Sequence, residues 1–297
     1  MAYDGREILV SVVIPAKSEG ENLIDTVAAV RENSGGLNPE IIVVDDASED
    51  GAPQRLAARF ADDDLVRIVN GPDLGIARAR NAGAEVARGE VLVFLDGHCF
   101  VPPGWLEPLV APFADPKVGM TGPGFRSIRD PRSRACGITW ADASLGNVWL
   151  PPETQGPVPF HIGACQAVRA EVFAAEGGFD PGMTRWGSED VELCLRLWLM
   201  GYDVHAAPES EVYHLFRTSR PYDVDTTLIL YNHLRLALLH FDEARLEQVI
   251  ARLQAFPPSA GAIARAFTDG TMSDRDRMWS RRARDVDWLF KRFQIGF

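Results

Sequence analysis

Apolar and polar positions in the first hundred residues alternate between two rhythms. The unbroken apolar run Val91–Leu95 reads as a strand buried on both faces, Ile8–Ile14 as a β-branched strand ending at Pro15, Glu40–Val44 as a second buried strand ending at Asp45-Asp46, and Leu65–Val69 as a third strand. Between them Asn22–Glu32, Ala52–Phe60 and Gly75–Arg88, the last closed by Gly89, carry apolar residues at helical spacing. The alternation predicts an α/β fold, a mostly parallel central sheet with helices on both faces. Residues 123–160 change character: Pro123, Pro131, Pro151, Pro152, Pro157 and Pro159 break any long element, and Leu145–Phe160 is expected to be mobile. Order returns over 163–217, and 222–255 reads as helix up to a Pro257-Pro258 break. The pattern divides the chain into an α/β unit over 1–217 and a helical extension over 218–297 packed on it.

Composition narrows the class. The 297 residues are 46% hydrophobic, enough for a core, and the net charge of −12 argues against a nucleic-acid partner. No apolar run approaches the ~20 residues that span a bilayer. The opening MAYDGREILV has no signal-peptide pattern, so a cytoplasmic protein is expected. Cys99, Cys136, Cys165 and Cys194 are scattered without a C-x-x-C pair and read as reduced thiols, Cys99 as a buried bystander beside His98. The tail Arg275–Phe293 interleaves Trp279, Val286, Leu289, Phe290 and Phe293 with Arg281, Arg282, Arg284, Lys291 and Arg292. Such a helix can touch a membrane surface peripherally, but packing against its own domain is the favoured reading.

Chemistry gathers at the carboxyl ends of the strands, where open α/β sheets bind ligands. After Val91–Leu95 come Asp96, Gly97 and His98. With glycine between them, a carboxylate and an imidazole can converge on one ion, and that donor pair suits Mn²⁺ better than the all-oxygen shell of Mg²⁺. Pro15-Ala-Lys-Ser-Glu19 follows the first strand and Asp45-Asp46-Ala47-Ser48 the second. A pyrophosphate would be repelled by these acids unless a divalent ion lay between them. Trp186-Gly187-Ser188-Glu189-Asp190 offers a ring to stack on, room for a substrate, and two acids, one to hold a sugar hydroxyl and one to act as general base. Ser188 reads as the N-cap of a helix whose buried stripe is Val191, Cys194, Leu195, Trp198 and Leu199. Finally Glu211-Val-Tyr-His214-Leu-Phe-Arg217 supplies a third ligand, His214, and a cation, Arg217, for phosphates.

Taken in order, VSVVIPA, VVDDAS, Gly75-Ile-Ala-Arg78-Ala-Arg-Asn81, VLVFLDGHC, GGFDPGMTRWGSEDVEL and EVYHLFR resemble a metal-dependent glycosyltransferase of the GT-A fold, family 2. Within that family the pattern is nearest to the catalytic domain of polypeptide N-acetylgalactosaminyltransferases. The resemblance covers residues 8 to 217. It implies that Asp46 and Arg78 contact the nucleotide, with Pro15, Glu19 and Gly97 also on the donor side. It further implies that Asp96, His98 and His214 hold Mn²⁺ (Mg²⁺ as a substitute), that Arg217 contacts the diphosphate, and that Trp186 and Glu189 line the sugar site. Two departures stand out. The resembled family carries a lectin domain, for which the stretch after 217 is too short and too helical. It also has Asn, not Asp, at the position of Asp190 and retains anomeric configuration, whereas inverting family 2 enzymes place their base there.

The expectation is therefore a metal-dependent glycosyltransferase that takes sugar from a UDP-sugar donor and passes it, with inversion at Asp190, to a peptide, metabolite or glycan acceptor. Two rivals are a sugar-nucleotide nucleotidyltransferase, which usually shows a Gly-rich basic loop that Pro15-Ala-Lys-Ser-Glu-Gly lacks, and a non-catalytic nucleotide-sugar or peptide-binding protein.

Overall fold

The computed structural model describes all residues except 1, 4, 5, 8, 131, 218–224 and 257–258, and no side chains of 2, 3, 6 and 7. Strand β1 (Val10–Ala16) leads to helix α1 (Glu21–Asn33), β2 (Glu40–Asp46) to α2 (Ala52–Arg59), and β3 (Val66–Gly71) to α3 (Ile76–Glu85) and β4 (Val91–Leu95). β1 pairs in parallel with both β2 and β4, and β2 with β3, which brings the ends of β1, β2 and β4 to one edge. Apolar runs are needed on β1, β2 and β4 because both faces are covered, whereas β3, at the end of the sheet, is half-buried. Val13, Ile42, Val44 and Phe94 belong to the core on one face, and Val12, Ile14, Ile41 and Val43 to the core on the other, where α1 adds Leu23, Val27 and Val30.

Beyond β4 the sheet becomes mixed. β5 (Val118–Ser127), β6 (Cys165–Arg169) and β7 (Asp203–His214) extend it, β6 running antiparallel to both β4 and β5 and β7 parallel to β5. Helix α4 (Glu189–Leu199) lies between β6 and β7 in sequence. It is followed after residue 225 by α5 (Thr226–His240), α6 (Glu243–Leu253), α7 (Ser259–Thr268), α8 (Thr271–Trp279) and α9 (Val286–Phe293). Leu234, Leu238, Phe241, Leu289 and Phe290 of this C-terminal stretch join the same apolar cluster as Phe94 of β4.

Several boundaries differ from those expected. β1 runs through Pro15 because its pairing with β4 stops at Val13, so the missing proline N–H falls past the last β4 partner. Pro123 sits inside β5, at the irregularity where β7 shifts register between Ala207 and Glu211. Helix α3 ends at Glu85 rather than Arg88. The long helix expected over 222–255 is two, broken at Phe241-Asp242, where the Asp242 carboxylate accepts from Arg245 N–H at 2.9 Å and starts α6. Residues 222–224 and the Pro257-Pro258 break lie outside the described residues. The stretch expected to be mobile is anchored: Ile138–Trp140 pairs antiparallel with Asn147–Trp149, and Leu145, Val158 and Phe160 are buried. The basic tail packs on its own domain, with Leu289 and Phe290 buried and Trp288 and Phe293 against Trp198. Among the described residues no helix is long and apolar enough to cross a membrane.

Candidate active site

Where β4 ends, Asp96 and His98 project into a cavity of about 610 Å³. His214 arrives from the far end of β7, because Tyr213 and His214 pair antiparallel with Phe100 and Cys99 and the Leu215 N–H donates to the His98 carbonyl at 3.2 Å. The two imidazoles face each other with their Nε2 atoms 3.0 Å apart, and Asp96 Oδ2 lies 3.8 Å from His214 Nε2. One ligand atom from each of Asp96, His98 and His214 falls within 4.8 Å of the others. The set fits a divalent cation of the Mn²⁺ type: two nitrogens and a carboxylate oxygen converge on one point. The far nitrogen of His214, Nδ1, is buried without a hydrogen-bond partner among the described residues. His98 Nδ1 sits 3.3 Å from Glu19 Oε2, an ion-pair distance without hydrogen-bond geometry. Burial holds the His214 imidazole down at about 4, against the pull of Asp96, so it is neutral as a ligand must be. Cys99 is buried, burial pushes its thiol well above the ordinary range, and the converging ligand atoms are those of Asp96, His98 and His214.

Behind the triad lies a cation that the motif reading passed over. Arg80, 2% exposed, donates to Asp96 Oδ1 at 3.0 Å, to Glu189 Oε1 at 2.9 Å and to the Gly163 carbonyl at 2.7 Å, and its guanidinium lies 5.2 Å from the centre of the Phe179 ring. Burial opposes ionisation of Asp96, but Arg80 and the two imidazoles outweigh it and hold the carboxyl below its usual range. Glu189 Oε2 accepts from the Gly187 N–H at 2.9 Å. Burial, reinforced by the neighbouring Asp190 carboxylate and opposed by Arg80, pushes Glu189 up to about 7. Asp190 is raised as well, by burial, while its two oxygens accept from the Gly163 N–H at 2.6 Å and the Val191 N–H at 2.9 Å. Ser188 precedes α4 as expected, but its backbone is left-handed (φ 70°) and its hydroxyl caps nothing.

The remaining residues sort by helix phase and strand end. Pro15, Glu19, Asp46, Gly97, Trp186 and Arg217 all line the cavity. The Asp46 carboxylate accepts from the Leu74 N–H and, at 2.8 Å, from the Gly75 N–H. Arg217 is ion-paired with Glu19, which links it to His98. Arg78 does not join them. It donates to the Pro181 carbonyl at 3.0 Å on the outer side of α3, because two residues of helix turn it away from the face that carries Ala77, Arg80 and Gly83. Residues that the sequence did not single out also line the cavity: Asp73, ion-paired with Lys17 and Arg185, and the mouth rings Trp149 and Phe216, 5.9 Å apart. Charge pairing identifies Asp73 and ring contact identifies the aromatics, and neither leaves a local spacing signal.

The profile of glycosyl transferase family 2 matches residues 11–176, more than half of the chain, and that of the N-terminal domain of galactosyltransferase matches residues 151–218. The chain belongs to glycosyl transferase family 2. Its relatives include human polypeptide N-acetylgalactosaminyltransferase 6, 34% identical over 291 residues that make up 89% of this chain and 46% of that protein. Another is a probable N-acetylgalactosaminyltransferase 8 of Caenorhabditis elegans, 31% identical over 86% of this chain and 64% of that protein. The chain thus spans about half the length of the curated relatives it matches. Among solved structures, GalNAc-T7 with UDP, GalNAc and Mn²⁺ superposes with a TM-score of 0.77 at 24% identity, covering 97% of this chain and 57% of that one. The Pyrobaculum calidifontis mannosyltransferase PcManGT with GDP-Man and Mn²⁺ superposes at 0.56 and 20% identity, covering 92% and 74%. These likenesses establish the GT-A fold for this family 2 chain.

Proposed function

We propose that this protein is a divalent-cation-dependent glycosyltransferase that moves an N-acetylhexosamine from a UDP donor to a hydroxyl of a peptide. The reading is carried by the Asp96–His98–His214 triad opening into a cavity whose far wall holds Trp186, Glu189 and Asp190. Support for the donor and acceptor comes from the relatives named as polypeptide N-acetylgalactosaminyltransferases and from the UDP, GalNAc and Mn²⁺ in the GalNAc-T7 structure. A cation held by Asp96, His98 and His214 would supply positive charge opposite the leaving diphosphate.

The chain's own residues divide the remaining work. Asp46, at the end of β2, keeps lone pairs for the nucleoside, and Arg217, ion-paired with Glu19 beside His98, offers a cation for phosphate oxygens. Trp186 and Glu189 bound the sugar. Asp190 takes the proton of the acceptor hydroxyl as its oxygen bonds to the anomeric carbon, and the carbon–oxygen bond to the diphosphate breaks with its electron pair leaving on UDP. That sequence inverts the anomeric centre. One observation favours a second reading: both Asp190 oxygens already accept backbone N–H groups. In that reading Asp190 braces Gly163, and the configuration is retained.

The test is Mn²⁺-dependent release of UDP from a panel of UDP-sugars, with and without serine- and threonine-containing peptides, and NMR assignment of the product anomer. Asp190→Asn should cut turnover roughly 10²–10⁴-fold if Asp190 is the base. A folded Asp190→Asn variant with near-normal turnover, or a product that keeps the donor configuration, selects the bracing reading. If no UDP-sugar releases UDP while UTP and a sugar phosphate release pyrophosphate, the glycosyltransferase assignment is wrong.

A further inference from the structure

The backbone entering the sugar side of the cavity is left-handed at Arg185 (φ 61°), Gly187 (φ 108°) and Ser188 (φ 70°). Non-glycine residues avoid this region, so a turn of this kind holds its shape only where contacts outside it dictate the course. At Arg185 the Ile76 N–H of α3 donates to the carbonyl at 2.9 Å and Asp73 pairs with the side chain; the other contacts come from α5, beyond the segment that carries the family motifs. Asn232, 1% exposed, accepts from the Thr184 N–H through Oδ1 at 3.0 Å. Through Nδ2 it donates to the Thr184 carbonyl at 2.9 Å and the Gly187 carbonyl at 2.9 Å, with the Trp186 carbonyl at 3.2 Å sharing the second donor. A neighbour on the same helix fixes the approach to the turn: Arg235 grips Asp180 with bonds of 2.7 and 2.9 Å.

Asn232 does not line the cavity, whereas Trp186, Gly187, Ser188, Glu189 and Asp190 do. We propose that Asn232 is a positioning residue for sugar transfer: its carboxamide sets the backbone course from Thr184 to Gly187 and so the placement of Trp186 and Glu189. Helix α5 is then part of the catalytic machinery. This rests on the glycosyltransferase reading above. The carboxamide is demanded by its partners, which need one acceptor and two donors at a single buried point. Aspartate would turn a second oxygen toward three carbonyls, and leucine would fill the space while leaving a buried N–H and those carbonyls unpaired.

The experiment compares the full-length wild type with Asn232→Leu and Asn232→Asp, and with Leu253→Ala, a core truncation on the following helix, as a control for general destabilisation. Turnover of the UDP-sugar should fall roughly 10–100-fold in both Asn232 variants, as expected when reacting groups shift by about an ångström. Affinity for UDP with Mn²⁺ should change by less than about twofold, because among the described residues the triad and Asp46 share no direct hydrogen-bond partner with Asn232. Amide exchange over 184–189 should rise about tenfold or more. Equal losses of turnover in Asn232→Leu and a Leu253→Ala control of matched melting temperature would overturn the proposal, as would a parallel loss of UDP affinity. If the wild type turns over no UDP-sugar, the glycosyltransferase reading fails separately, and unchanged exchange over 184–189 in Asn232→Leu would still refute the positioning role. Should Asn232→Leu not fold, Asn232→Ser carries the same measurements.

Discussion

Removing the guanidinium of Arg80 should destabilise the site from its centre. Three bonds disappear together, to Asp96, Glu189 and the Gly163 carbonyl, and so does the contact with the Phe179 ring. Asp96 keeps the imidazoles of His98 and His214 beside it. Glu189, whose side chain is 5% exposed, keeps its own and the Gly187 backbone N–H and faces the repulsion of Asp190. Its carboxyl already stands at about 7 with Arg80 opposing the rise, so without Arg80 it takes up a proton at neutral pH. Protonation removes the charge but not the buried, half-satisfied carboxyl. Breaking a buried ion pair from one side costs about 3–5 kcal/mol, and Arg80→Met should reach that range because two carboxylates lose the same partner. For a chain of this size the melting temperature should fall by on the order of 10 °C.

Urea denaturation followed by tryptophan emission reads the loss directly, and a double-mutant cycle apportions it. Arg80→Met combined with Glu189→Gln removes both charges, so the pair should be more stable than the sum of the single losses by roughly 1–3 kcal/mol. Arg80→Lys should recover little, since one ammonium cannot span Asp96, Glu189 and the Gly163 carbonyl as a planar fork does. An Arg80→Met variant within about 1 kcal/mol of wild type, or a strictly additive cycle, would show that Arg80 is solvated in solution and would refute its role as the hub of the site.

The triad predicts that His98→Ala and His214→Ala each weaken Mn²⁺-dependent UDP binding by roughly 10–100-fold, measurable by calorimetry, and unchanged binding in both would remove the cation from this position. A pH dependence follows from Glu192, buried on α4 and bonded to Arg196 at 2.8 and 2.7 Å and to His240 Nε2 at 2.8 Å. Burial raises its carboxyl, but Arg196 and His240 outweigh burial and hold it at about 2 against an ordinary 4.5. Its folded value is depressed, so its stabilisation is complete above pH 4.5 and is lost as pH falls toward 2. The stability gap between wild type and Glu192→Gln should therefore narrow by roughly 3 kcal/mol from pH 6 to pH 2, and a gap constant across that window would contradict the assignment.

The fold was legible where burial has a period. Val91–Leu95 and Glu40–Val44 read as buried strands because successive apolar positions mark a strand covered on both faces, and the structure pairs both on two sides within the sheet. Proline was the misleading signal. Pro15 and Pro123 both argued for an end, yet each sits where no ladder partner requires its N–H: past the last β4 pair in one case, at a register shift in the other. The reversed direction of β6 left no trace in the sequence either, since burial on both faces constrains residue type without regard to which way a strand points.

At the site, legibility followed chain distance. Asp96 and His98 announce themselves two residues apart, while His214 lies 116 residues from His98 and joins it only because Cys99 and His214 pair across antiparallel strands. The contrast between Arg78 and Arg80 is sharper. Both are arginines of one motif, and their residue type cannot separate them. Helix phase can: Ala77, Arg80 and Gly83 recur at intervals of three, and Gly83 leaves no room for a side chain, since a Cβ there would stand 2.3 Å from Val13 Cγ1. That face must lie on the sheet, so the arginine it carries must be buried, and a buried guanidinium requires carboxylates around it. The sequence thus held the means to prefer Arg80. Asn232 had no such signature. Its partners are three carbonyls and one N–H of the backbone, and backbone partners impose no residue type on the positions that supply them, so only the folded turn identifies it.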